Sequence, residues 1–102
     1  MDLGLMDKVA VVTGTGSEIG FGRAIALTLA QEGCHVAGID LNLEGAEKTA
    51  GDIRAMGRKS IALKADVSQK PEVTAAVQKI MQEFSKIDIL VNNAGLSVPW
   101  KN

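Results

Sequence analysis

The 102-residue chain has room for one small domain, and 46% hydrophobic against 23% charged residues is the balance of a globular protein, not a disordered one. A net charge of -1 gives no electrostatic reason to expect nucleic acid or an anionic membrane as a partner, and the apolar runs are strand-sized, too short to span a membrane. The single cysteine, Cys34, excludes an internal disulfide, and no Cys/His cluster stands at metal-ligand spacing.

Taken in order, the chain alternates strands with helices. Asp2 and Asp7 interrupt any hydrophobic start, so no secretory signal is read and the cytoplasm is the expected compartment. Val9-Ala10-Val11-Val12 is a continuous apolar run, the pattern of a parallel strand buried on both faces. After a glycine-rich turn, Arg23 to Gln31 supplies good helix formers, with Ile25 and Leu29 on one face and Ala26 and Ala30 beside them. Gly33 stands where that helix would stop. Cys34 then reads as a small apolar residue entering a strand, and His35, the only histidine, has no neighbour suited to triad chemistry.

The second strand, His35 to Ile39, ends at Asp40. Asn42 can cap a second helix, whose Leu43, Ala46, Ala50 and Ile53 fall on one stripe and which Gly57 ends. Ser60 to Leu63 is a third strand, leading into Ala65-Asp66-Val67-Ser68. Pro71 suits the first turn of a third helix, along which Val73, Val77, Ile80, Met81 and Phe84 form an apolar face. Ile87 to Val91 is the fourth strand, followed by Asn92-Asn93-Ala94-Gly95. This alternation, free of repeats and linkers, predicts an α/β unit with a parallel sheet, right-handed crossovers and helices on both faces. If the unit is the first mononucleotide-binding half of a Rossmann-type doubly wound sheet, its four strands take the order 3-2-1-4, with three helices.

The segment from Thr13 to Gly22 lies between the first strand and the first helix. A helix start presents backbone N–H groups without intrahelical partners, and the helix dipole adds partial positive charge there. Glycines let the oxygens of a pyrophosphate approach that backbone and permit the positive φ of the turn. The glycine loop alone is weak evidence. It gains weight because it follows a strand, opens a helix and precedes an acid, Asp40, twenty residues beyond Gly20 at the end of the next strand. A carboxylate there can accept hydrogen bonds from ribose hydroxyls but repels a 2′-phosphate. Leu41 and Asn42 add no neighbouring cation, and the loop carries Glu18 in place of Arg or Lys, so NAD is expected over NADP. A phosphate loop of the nucleotide-hydrolase type is excluded by the lack of a Gly-Lys-Ser/Thr ending.

With these motifs the chain resembles the short-chain dehydrogenase/reductase family from about Lys8 to about Gly95. Lys8 to Gly14 is similar to the family's opening strand and turn, Gly20 to Ala26 to its first helix, and Asp66-Val67 to the pair that meets the adenine ring. Ile87 to Gly95 carries the Asn-Asn-Ala-Gly signature, the most specific motif in the chain. The resemblance implies that Asn92 steadies the central sheet and that Ala94 and Gly95 pass close to the cofactor. The candidate cofactor-binding residues are Gly14, Ser17, Ile19, Gly20, Gly22, Asp40, Leu41, Asp66, Val67, Asn92, Ala94 and Gly95.

The loop departs from the family's spacing of Thr-Gly, three residues, Gly, one residue, Gly. Counting from Thr13-Gly14 puts the middle glycine at Glu18. Counting from Thr15-Gly16 fits Gly20 and Gly22 but lengthens the strand. A loop enlarged by two residues between Gly14 and Gly20 aligns both flanks and is the preferred register.

The resemblance further implies hydride transfer between nicotinamide and an alcohol/carbonyl substrate, with a catalytic Tyr and Lys three residues apart, an upstream Ser and a helical Asn. The chain contains no tyrosine. Ser17 and Ser68 fall in cofactor-side motifs, Lys79 and Lys86 on exposed helix positions, and Ser97 comes too early, so no catalytic residue is assigned. Trp100 reads as packing on a surface groove more readily than as a lid residue. Residues 1–102 are therefore expected to be an NAD(P)-binding Rossmann-fold domain, truncated before the catalytic half. Family members often associate into homo-oligomers through later helices. The alternative is a non-catalytic dinucleotide-binding or interaction module of this length.

Overall fold

A computed structural model of the chain describes residues 4–17 and 20–93. Its strands are β1 (Val9–Thr13), β2 (His35–Asp40), β3 (Ser60–Lys64) and β4 (Ile89–Val91); its helices are α1 (Phe21–Gln31), α2 (Leu43–Ala55) and α3 (Lys70–Phe84). All strand pairs are parallel, as the alternating pattern predicts, and their order is β3-β2-β1-β4, the one expected of the first half of a Rossmann-type sheet.

Every residue of β1 is buried, because each face of the sheet is covered. On one face Ala10, Val12 and Val36 pack with Ala26 and Ala30 of α1 and Ile53 of α2. On the other, Val11, Ala37 and Ile39 pack with Ala76 and Ile80 of α3. Successive strand side chains point to opposite faces, so a strand in the middle layer must be apolar throughout. The buried stripe of α1 is Gly22, Ala26 and Ala30, spaced by four. These small residues bring the helix close to the sheet, while Ile25 and Leu29 pack half-buried at its flanks.

The ends of the elements follow local chemistry. Gly33 and Gly57, with φ of 104° and 86°, stand just past α1 and α2. Asn42 caps α2, its side-chain oxygen accepting from Gly45 N–H. Pro71 lies in the first turn of α3. Cys34 is fully buried, and that burial, reinforced by Asp88 and Glu32, pushes its thiol pKa up. His35 opens β2 and is held by Asp7 and the Lys59 N–H at the amino ends of the strands.

Some expectations shift. Helix α1 begins two residues before Arg23, β2 and β3 each extend one residue further, and β4 starts at Ile89. Residue 88 is diverted because its carboxylate accepts from Val9 N–H (2.8 Å) and its own N–H donates to Val9 O (2.9 Å). On α2 the buried stripe is Ala46, Thr49, Ala50 and Ile53, and Leu43 is exposed. On α3 only Ala76 and Ile80 are buried. Val77 and Met81 are exposed, and Leu90 on β4 is 67% exposed.

Ile53 is the largest fully buried side chain where α2 meets the sheet. Ile53→Ala is expected to lower unfolding stability by about 2–5 kcal/mol through the cavity it leaves. Denaturant titration of the two chains checks this.

Candidate functional site

The loop after β1, the end of β2 and the turn after β3 meet at the carboxyl ends of the strands, where open parallel sheets bind ligands. Gly14 has φ of 78° and its N–H donates to Ile39 O (2.8 Å), which turns the chain out of the sheet. Gly20 precedes α1 in extended conformation, at the cap position. Gly22, in the first turn, lies directly on the Gly14 carbonyl: a Cβ at residue 22 would sit 2.1 Å from Gly14 O. Gly14, Gly20 and Gly22 thus form the turn, the helix start and the close packing of a glycine-loop site, with residues 15–19 between the first two.

The mouth of α1 differs from that of α2. Among the described residues no side chain caps α1, and its first turn has no acidic residue, whereas α2 has both the Asn42 cap and Glu44. The positive end of the α1 dipole therefore lies, without an acidic residue in its own first turn, next to the Gly14 carbonyl on which Gly22 packs.

Asp40 ends β2 and turns its carboxylate toward the loop. Its Oδ2 accepts from Gly16 N–H (2.9 Å) and its Oδ1 from Asn42 N–H (2.9 Å). Beside it, Ile39, Asp40, Leu41, Ala65, Asp66, Val67 and Ser68 line a pocket of about 230 Å³ with mostly apolar walls. Asp40, Leu41, Asp66 and Val67, which lie apart in sequence, thus share one pocket. Asp66 Oδ1 accepts from the backbone N–H and the hydroxyl of Ser68 (2.9 and 2.6 Å), and these bonds hold its carboxyl below the usual carboxylate range. Asp66 N–H donates to Glu72 Oε1 (2.8 Å), fastening the turn to α3.

On the other side of β1, the Thr13 hydroxyl accepts from Asn93 N–H (2.7 Å) and lies 3.2 Å from Asn92 Oδ1. Asn92 therefore stands at the β1–β4 junction. Ser17 is exposed, and its carbonyl accepts from Gly20 N–H (3.3 Å). Ile19, Ala94 and Gly95, together with Glu18, Ser97 and Trp100, lie outside the described residues.

The folded chain also brings in groups that adjacency in sequence did not reveal. Thr15 is buried at 1% exposure, and its carbonyl accepts from Thr49 Oγ1 (2.9 Å). Arg23 donates to Thr49 Oγ1 (3.0 Å) and pairs with Asp52. Lys48 and Glu44, one helical turn apart, line a groove with Gly16, Asn42 and Gly45. A cation does therefore approach the loop, from the second turn of α2. The signal was available in the i, i+4 spacing of Glu44 and Lys48 on the face that Asn42 begins. Among the described residues no cluster of three or more His, Cys, Asp or Glu could hold a metal ion, and no helix is long and apolar enough to cross a membrane.

A family model described as short chain dehydrogenase matches residues 8–102. The chain belongs to the short-chain dehydrogenase family. It is 41% identical over 90 residues to cyclohexanol dehydrogenase of Acinetobacter sp. (strain SE19), an alignment covering 88% of this chain and 35% of that protein. The structure resembles a hydroxysteroid dehydrogenase from Escherichia coli at TM-score 0.85 and 35% identity, covering 93% of this chain and 40% of the other. It also resembles NAD+-bound xylitol dehydrogenase at TM-score 0.83 and 40% identity, covering 89% and 34%. The chain spans about a third of the length of the curated relatives it matches.

Two outcomes are expected. Gly22→Ala forces a methyl against backbone that cannot rotate away, so it should destabilise the chain by about 1–3 kcal/mol despite the better helix propensity of alanine. Thermal unfolding compares the two. Asp66 has a lowered folded pKa, so the stability it contributes is complete above the ordinary carboxylate value of about 3.9 and is lost as pH falls through the lowered one. Asp66→Asn should show a smaller loss of melting temperature between about pH 6 and about pH 3 than the unsubstituted chain.

Proposed function

We propose that residues 1–102 form the NAD-holding part of an oxidoreductase that moves a hydride between nicotinamide and an alcohol/carbonyl substrate. The observation that carries this reading is the Gly16 N–H bond to Asp40 Oδ2. It sets a carboxylate suited to ribose hydroxyls beside a helix mouth suited to a pyrophosphate. The residues fit the group in a second way, because Gly22 packs on Gly14 and so keeps the loop backbone free of side chains at its narrowest point. When bound, the dinucleotide supplies the hydride donor or acceptor.

The chain's own residues bind and orient it. Gly14, Ser17, Ile19, Gly20 and Gly22 belong to the pyrophosphate side, through the donors that α1 leaves uncapped. Asp40 takes the adenosine ribose. Leu41, Asp66 and Val67 wall the apolar pocket next to Asp40, sized for a flat base. Asn92, Ala94 and Gly95 complete the site from the β4 side. NAD is favoured over NADP because two carboxylates, Asp40 and Glu44, flank Gly16 against one ammonium, Lys48, and a 2′-phosphate would add further negative charge there. The solved relative with bound NAD+ agrees with that choice.

No tyrosine occurs in the sequence, so the family's Tyr-x-x-x-Lys acid/base pair is not among these residues and we assign them no catalytic role. We place the protein in the cytoplasm, the compartment that a lone buried Cys34 suits.

Calorimetric titration tests the cofactor reading. NAD should bind with NADP much weaker, and Asp40→Ala should weaken NAD by about tenfold, the scale of losing hydrogen bonds to a charged group. Saturation by NADP with no response to NAD would overturn the ribose role of Asp40.

A further inference from the structure

We infer that Asn42 is a positioning residue that locks the enlarged glycine loop onto Asp40 and so sets the cofactor preference of the site. The inference rests on the cofactor reading above and adds to it a residue that does not itself touch the ligand. Asn42 makes three separate connections. Its backbone N–H donates to Asp40 Oδ1 (2.9 Å), its side-chain Oδ1 accepts from Gly45 N–H (3.1 Å), and its side-chain Nδ2 donates to Gly16 O (3.1 Å). Gly16 returns the link by donating its N–H to Asp40 Oδ2. One asparagine therefore closes a ring that joins the acid, the loop and the first turn of α2.

The ring is built tightly. A Cβ at residue 16 would lie 2.7 Å from Asp40 Cγ, and a Cβ at residue 45 would lie 2.0 Å from Gly16 O. Both contacts are with groups that the ring holds in place, so side chains at 16 and 45 are excluded by the lock itself. The residue before Gly16 is seated as firmly: Thr15 is buried, with its carbonyl bonded to Thr49. Residues 15 and 16 are thus packed into the groove between β2 and α2, not arched over the ligand side of the loop. Both oxygens of Asp40 are oriented by backbone donors, which fixes the plane of the carboxylate before any sugar arrives. A preorganised acceptor loses less freedom on binding and tolerates less change in its ligand.

The substitution that isolates the lock is Asn42→Ser. Serine keeps a good helix cap but has no amide to reach Gly16 O. A second variant, Gly45→Ala, leaves Asn42 intact and pushes on Gly16 O from the α2 side, although helix propensity alone favours alanine. Two measurements are made on the full chain: exchange of the Gly16 amide proton by NMR, and calorimetric affinity for NAD and for NADP. In each variant the Gly16 amide should exchange about tenfold faster. NAD affinity should fall about fivefold, the scale of one hydrogen bond, with a narrower NAD/NADP ratio and α2 helicity retained.

Unchanged Gly16 exchange in both variants would overturn the lock. Faster exchange with unchanged NAD affinity and unchanged NAD/NADP ratio would overturn the positioning role while leaving the cofactor reading standing. An unsubstituted chain that binds neither dinucleotide would overturn the cofactor reading, and the positioning role with it.

Discussion

The contact on which the arrangement depends is between two glycines. Gly22 in the first turn of α1 rests on the carbonyl of Gly14, with no space for a methyl group between them. That approach fixes the height and direction of α1 over the end of β1. The stripe of Ala26 and Ala30 continues the same close packing along the sheet. Just past Gly14 the chain runs against β2 and α2. Thr15 goes into the interior and Gly16 meets Asp40. The candidate site arises here because β1, α1 and β2 have their ends brought together by these contacts.

Much of the fold was legible from residue patterns. Runs such as Val9–Val12 can be satisfied only in a layer covered on both sides, and that requirement leads to a parallel sheet with helices above and below. Gly33, Asn42, Gly57 and Pro71 mark element ends through local backbone chemistry that does not depend on the rest of the chain. Asp40 was legible as the end of the second strand and Asp66 as part of the segment after the third, and the fold brings them to one pocket. The family membership was carried by motifs at both ends of the sequence and matches the span of the family model.

What the pattern missed has a common cause. Periodicity assigns burial by residue type, yet Thr49 is buried while Leu43 is exposed. The hydroxyl of Thr49 is needed inside, where it meets Thr15 O and Arg23. No rule of spacing within α2 contains that bond, because its partner is 34 residues away. Val77 and Met81 read as core for the complementary reason: an apolar residue on the edge of a helical face looks the same in sequence whether or not something packs against it. The amide of Asn42 was hidden behind a simpler role, since its cap explains the residue fully until Gly16 is seen beside it.

The strand order carries one more consequence. Gly14 follows β1 and Asp40 ends β2, two strands paired at five positions, while Asn92 follows β4, which pairs with β1 at three positions among the described residues. The glycine and acid portions of the rim are therefore held in register along the whole β1–β2 ladder, and the asparagine portion is tied to the same central strand by the Thr13 hydroxyl as well as by the β1–β4 ladder.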